Sequence, residues 1–217
     1  MTESATGLIV RTRPLTETSL IVHWLTPELG RIATVAKGAR RPKSTFRGKL
    51  DLFYEADFSF QRSRRSELHA LREVKLRGTN ESLRGELAYL QQAAYCARLI
   101  EQATETETPL PGVFALLHGL LAHLPKQPAQ AQTIFAFEFK MLEELGQSPD
   151  LEESHLTPGA KKIALALREN EWEGIARLKL SAAQEKELQQ FLHGFLTFHL
   201  GGIPKGRVTS PCPSAGA

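Results

Sequence analysis

The sequence predicts an α+β chain in two parts. A five-stranded β-barrel of the OB type spans residues 1–78, an all-helical domain spans 79–207, and a tail without regular structure covers 208–217. Three observations carry this reading. Five short runs, β-branched-rich or alternating, are crowded into the stretch before residue 80. Near Asn80 the hydrophobic period changes from two to the three-and-four spacing of helices. Beyond Val208 the chain reads TSPCPSAGA, small and Pro-rich, too poor in apolar residues to order itself.

The elements follow in order. Thr6–Arg13 (TGLIVRTR) and Ser19–Thr26 (SLIVHWLT) read as the first two strands, separated by Pro14–Thr18, and Thr26–Gly30 (TPELG) reads as a turn with Pro at its second position. Arg31–Ala36 alternates, with Ile32, Thr34 and Ala36 on one face and Ala33 and Val35 on the other. Leu50–Gln61 reads as a long fourth strand, with Leu52, Tyr54, Ala56, Phe58 and Phe60 on one face. Arg62–Glu67 is a polar hairpin tip, and Leu68–Leu76 is the fifth strand. Short, twisted strands in meander-like succession close into a small barrel. Asn80 or Ser82 then caps a helix to about Gln102, with Leu83, Leu87, Leu90, Ala94, Ala97 and Ile100 on its apolar face. Pro111 suits the first turn of Val113–Leu124, and Pro128 opens a helix to Leu145 closed by Gly146. Thr157 and Pro158 start another, to about Asn170. Ser181 with Gln184 forms a capping box for the last, which ends at Gly201 and Gly202.

Charge is unevenly distributed. Residues 1–80 hold 15 basic and 8 acidic side chains, whereas 81–217 hold 12 and 16. Gly30–Lys49 (GRIATVAKGARRPKSTFRGK) carries seven cations and no carboxylate. Its second half, rich in Gly and Pro, reads as an exposed loop. A basic loop hung on a strand suits a polyanion, since it neutralises phosphates and releases their counterions. The candidate nucleic-acid contacts are Arg31, Lys37, Arg40, Arg41, Lys43, Arg47 and Lys49, joined by Arg62, Arg64 and Arg65 in the hairpin tip. The two turns are expected to converge on one side of the barrel. Phe46, inside the loop, is the best-placed ring for base stacking. Trp24 and Tyr54 are expected in the core.

Other chemistries find little support. Cys96 and Cys212 indicate neither a disulfide framework nor a cysteine-type zinc site. The pairs His118 with His123 and His193 with His199 lack the i, i+4 spacing of a helical zinc pair, and no GxxxxGK phosphate loop occurs. The adjacent carboxylates Glu143–Glu144 and Glu152–Glu153 read as solvated charges. No metal, no cofactor and no catalytic residue are expected. The N-terminus lacks the basic and apolar regions of a signal peptide, and no apolar run approaches membrane-spanning length, so a soluble cytoplasmic protein is expected, nucleoid-associated by virtue of the DNA contacts expected of the basic loop. Phe135, Phe137, Phe139, Phe191, Phe195 and Phe198 read as helical core. The run Gly201–Arg207 (GGIPKGR) sets Lys205 and Arg207 beside that apolar surface, a rim suited to a peptide ending in apolar residues and carboxylates.

These residues carry a resemblance. Gly7–Arg13, the block Glu17–Leu50 with its VAKGARRPKS centre, and LHALREVKL resemble the RecO family of recombination mediators. Phe137–Leu151, the LTPGA run from Leu156 and FLHGFLTFHLG are similar more weakly. The resemblance implies an OB domain binding single- and double-stranded DNA and a helical domain. It also implies annealing of complementary strands, work with RecR, contact with the C-terminal tail of single-stranded DNA-binding protein, and indirect assistance to RecA loading. Many members carry a four-cysteine zinc module after the segment matching Pro149–Leu151. Here Glu152, Glu153, Ser154 and His155 lead directly to LTPGA, so no zinc is expected. An RNA-binding or ribosome-associated OB protein, a hydrolase using Asp51, Asp57 or a histidine, and an interaction scaffold are the alternatives.

Overall fold

The computed structural model describes residues 2–207, so the expected tail and Cys212 fall outside the described residues. The chain forms two compact units: one runs to Glu81 and takes in Thr104–Ala115, and the other holds Ser82–Ala103 and continues from Leu116.

The first unit is a closed barrel of β1 (Thr2–Pro14), β2 (Leu20–Thr26), β3 (Gly30–Ala36), β4 (Glu55–Gln61) and β5 (Leu68–Gly78), in the order β1-β2-β3-β5-β4. Strand β1 is shared. Thr2–Leu8 pairs with β4 and Leu8–Pro14 with β2, and an irregularity between Ile9 and Arg11 lets it bend from one partner to the other. Only β1 to β3 form the expected meander. Strand β5 joins β3 in parallel, Ala33 opposite Leu68 and Val35 opposite Ala70, which requires the chain to leave the sheet edge through the long connection 37–54.

Two strand starts differ from the sequence reading by four or five residues. Strand β1 starts at Thr2 rather than Thr6, because polar Thr2–Ala5 finds a partner in Phe58–Gln61. Strand β4 starts at Glu55 rather than Leu50, because Phe53 takes a left-handed φ of 64°. The residues before it still close onto β1: the Phe53 N–H donates to the Ile9 carbonyl at 2.7 Å, and the Ile9 N–H to the Tyr54 carbonyl at 2.9 Å. Alternating apolar residues around a turn imitate a strand in one dimension.

The barrel core joins Ile9, Val22, Trp24, Ile32, Phe58 and Phe60 with residues of β5. The rings of Trp24 and Phe58 stack at 4.0 Å. Trp24 is fully buried because its indole N–H donates to the equally buried Thr34 hydroxyl at 2.8 Å.

The α-helices among the described residues are α1 (Leu87–Ala103), α2 (Pro111–His123), α3 (Ala131–Glu144), α4 (Pro158–Glu169), α5 (Trp172–Ala176) and α6 (Ala182–Leu200). Helix α3 packs against α1, α4, α5 and α6, and its Phe135, Phe137, Phe139, Met141 and Leu142 are all fully buried. Gly146, at φ 67°, donates to the Glu143 carbonyl while Gln147 donates to Leu142, a Schellman closure. Thr157 caps α4, and Ser181 with Gln184 forms the expected capping box on α6, which stops at left-handed Gly201. The start of α1 departs from expectation. A separate 3₁₀ turn, Glu81–Gly85, precedes it, and Leu87 is 69% exposed. Asn80 does not cap the helix; its side-chain amide donates to the Phe53 carbonyl at 2.8 Å. Short α5 has no counterpart in the sequence reading, and Phe198 points to solvent, 84% exposed.

Candidate nucleic-acid interface

The basic loop is a ladder of tight turns. Arg41 N–H donates to Gly38, Ser44 to Arg41, Arg47 to Ser44 and Lys49 to Phe46, all at 3.0–3.2 Å. Gly38 and Gly48, at φ 69° and 72°, supply the left-handed positions. The loop is also fastened to its neighbours. Arg40 N–H donates to the Thr18 carbonyl at 3.0 Å, and the Phe46 ring enters the barrel core, 8% exposed. The cations are therefore displayed on an ordered scaffold. Lys37, Arg40, Arg41, Lys43 and Arg47 are exposed and Lys49 is half-buried. Among the described residues none of the six pairs with a carboxylate. The Arg40 and Arg47 guanidinium groups each donate to a backbone carbonyl, of Thr16 and Pro42, at 3.4 Å. Six positive charges on one short loop, none internally neutralised among the described residues, form a surface poised for a polyanion.

Three sequence expectations need correction. The Phe46 ring is an anchor packed into the barrel core rather than an exposed stacking platform, and only its edge lines the neighbouring clefts. The Arg31 guanidinium donates to the Thr104 hydroxyl at 2.8 Å and to the Thr104 carbonyl, which ties the 104–108 segment to β3. Arg62 is claimed by carboxylates: its guanidinium meets Glu3 at 2.9 Å and Glu107 at 2.6 Å. The hydrogen bond from Arg62 holds the Glu3 carboxyl below its usual range. Glu107 also accepts from buried His69 at 2.7 Å.

The two turns do not converge either. Ala36 lies opposite Leu20, and Pro14 opposite Leu20, so the 37–54 connection leaves from the end of the barrel that holds the β1–β2 turn. Gln61 lies opposite Thr2, and Glu107, the partner of Arg62, donates its N–H to the Arg31 carbonyl. The 62–67 turn thus sits at the other end, where β1 and β3 begin. Arg64 and Arg65 are exposed there, on a turn held by the Ser63 and Ser66 hydroxyls.

Sequence reading missed several nearby cations. Arg72 and Lys75, exposed on β5, line a cleft with Thr45 and Lys49 on one side of Phe46. Tyr54, assigned to the core, is half-buried and lines a second cleft with Arg40, Arg41 and Arg47. Strand alternation could have pointed Lys75 outward, but it stands outside any charge run. On β1, Arg11 and Arg13 flank His23, whose pKa burial and these cations hold down to about 4.

In the helical unit the two predicted partner residues behave differently. Lys205 is exposed. Arg207 forms a buried ion pair instead, its guanidinium meeting both oxygens of fully buried Glu138 at 2.8 and 2.5 Å. The Tyr95 hydroxyl donates to the same carboxylate at 2.5 Å. This pins the segment after α6, where Ile203 and Pro204 face His193 and Gly194 across a cleft of about 580 Å³. Among the described residues no three His, Cys, Asp or Glu gather in a way that could hold a metal ion, and no helix is long and apolar enough to cross a membrane.

Comparison with known proteins agrees with this architecture. Residues 1–80 match the model "Recombination protein O N terminal" and residues 84–157 match "Recombination protein O C terminal". Curated relatives carry the name DNA repair protein RecO. The one from Rhodopirellula baltica is 33% identical over 66% of this chain and 53% of its own length. The one from Bacillus pumilus is 30% identical over 76% of this chain and 64% of its own. The one from Actinobacillus pleuropneumoniae serotype 7 is 30% identical over 76% and 68%. The chain thus spans between about half and two thirds of the length of these relatives. With both halves matched in order, and the barrel and helices lying where the two family models divide, the chain belongs to the RecO family of DNA repair proteins.

Proposed function

We propose that this chain is a non-enzymatic DNA-binding mediator that holds single- and double-stranded DNA on the basic loop end of its barrel and promotes annealing of complementary strands. The observation that carries it is the set of six loop cations on a turn-locked, core-anchored scaffold with no carboxylate partner among the described residues. Annealing needs no covalent step. Cations screen the repulsion between two phosphate backbones and concentrate the strands, and contacts to phosphate leave base edges free to pair. Arg64 and Arg65 extend the positive surface to the far end of the barrel. Arg31 and Arg62 serve the fold.

The test is DNA affinity against salt. Replacing Arg40, Arg41 and Lys43 together with alanine should flatten the slope of log K against log salt by roughly 0.7 to 0.9 for each phosphate no longer neutralised; an unchanged slope removes them from the interface. Competition by RNA of matched sequence checks the preference for DNA.

In the same reading, RecR is a partner and RecA is assisted indirectly. The cleft beside α6 takes the acidic, apolar C-terminal tail of single-stranded DNA-binding protein. Lys205 offers its exposed ammonium to that tail, and Arg207 acts through the wall it holds. A peptide with an apolar, carboxylate-bearing end should bind the Lys205→Ala chain more weakly, and equal affinity would remove Lys205 from the site.

A further inference from the structure

The cleft between the basic loop and Tyr54 has a construction that phosphate neutralisation alone does not require. Its rim is cationic, with Arg40, Arg41 and Arg47, while Leu20, Phe46 and Leu50 supply apolar floor and Tyr54 an aromatic wall. It measures about 530 Å³, within the roughly 300–1,000 Å³ of sites that enclose small organic molecules. Gly48 leaves one side open, since a Cβ there would meet nothing within 4 Å. The one carboxylate on its lining, Asp51, accepts the Leu52 N–H at 2.7 Å and so serves the turn. These apolar residues also pack against the barrel core and anchor the loop, but a free phosphate has no use for an apolar floor or an aromatic wall. A nucleotide uses both.

We propose that this cleft receives one unstacked, unpaired nucleobase of a bound strand, lying against Tyr54, with the adjoining phosphates on Arg40, Arg41 and Arg47. This rests on the reading of the loop as a phosphate-binding surface and deepens it. A base inside a duplex cannot enter without leaving its stack, so the cleft favours single strands and releases each base as it pairs.

The experiment compares the intact chain binding a short oligothymidine strand and the same backbone with abasic positions, at fixed low salt, by fluorescence anisotropy. Stacking one base predicts roughly 5- to 140-fold tighter binding of the base-bearing strand. Tyr54→Phe should keep that preference, and Tyr54→Leu should bind both strands alike while retaining the salt slope of the parent. Circular dichroism shows that the variants are folded, and the parent comparison stands without them. Equal affinity of the parent for both strands overturns the base pocket. So does a Tyr54→Leu chain that discriminates like the parent. If the parent shows no base preference but Arg40→Ala with Arg47→Ala still flattens the salt slope, the base pocket fails and the phosphate surface survives. A slope indifferent to both arginines sinks the two together.

Discussion

Phe46 shows how a side chain's surroundings override its sequence neighbours. Flanked by Thr45 and Arg47 it reads as a solvent-facing ring, yet its burial makes it the hydrophobic peg of the basic loop. Phe46→Ala should therefore cost about 3 kcal/mol of unfolding free energy, in the range for truncating a buried ring, visible as a lower urea midpoint. His23 makes a second prediction. Its Nε2 is buried without a partner, and its pKa sits at about 4 instead of 6.5. Burial is the main cause, reinforced by Arg13, Arg11 and Arg31. The unfolded chain then binds that proton more tightly than the folded one. The stabilising contribution is complete above pH 6.5 and lost as pH falls toward 4, worth about 2 kcal/mol for a group with some solvent access. His123, also lowered by burial, acts in the same sense. His23→Leu should flatten the fall in stability across that window, measured by urea unfolding at a series of pH values.

Among the elements, α6 obeys the most local rules. A Ser with Gln three residues on, then a run ending at Gly, specifies both ends, and the structure has the reciprocal capping bonds at 2.9 and 3.3 Å. Ser181→Ala should cost about 1 kcal/mol, read from the thermal midpoint. Strand β3 is governed from outside itself. Gly30 opens it at φ 65°, and a Cβ there would fall 1.9 Å from the Thr108 carbonyl oxygen. Gly30→Ala should destabilise the barrel unit by more than about 2 kcal/mol, since both the left-handed backbone and the backbone contact resist it; a melt indistinguishable from the parent would contradict this close approach. No pattern within 30–36 announces a partner from residues 104–108.

For the whole barrel, the separation of its two cationic ends has a measurable consequence. Strands of seven residues such as β2, β3 and β4 span roughly 23 Å at 3.3 Å per residue, more than two Debye lengths of about 8 Å at physiological salt. Losses in DNA affinity from Arg40→Ala with Arg41→Ala at one end and Arg64→Ala with Arg65→Ala at the other should therefore add, within about 0.5 kcal/mol. Strong coupling between the pairs would mean that they grip one short stretch of phosphates.

The sequence order of the five strands and of the longer helices, the caps that open α4 and α6 and the density of charge between Lys37 and Lys49 were legible in the chain itself, because periodicity, capping chemistry and like-charge runs are local properties. Which charges remain available was not. Arg62 and Lys43 look alike in one dimension, and only the approach of Glu3 and Glu107 from distant parts of the chain neutralises the first and leaves the second exposed. Arg207 is likewise settled by Glu138, far away in sequence and buried among the helices. The parallel β3–β5 pair sets the two basic turns at opposite ends of the barrel. Coulomb partners and barrel closure depend on distances through space, and a linear sequence does not contain those distances.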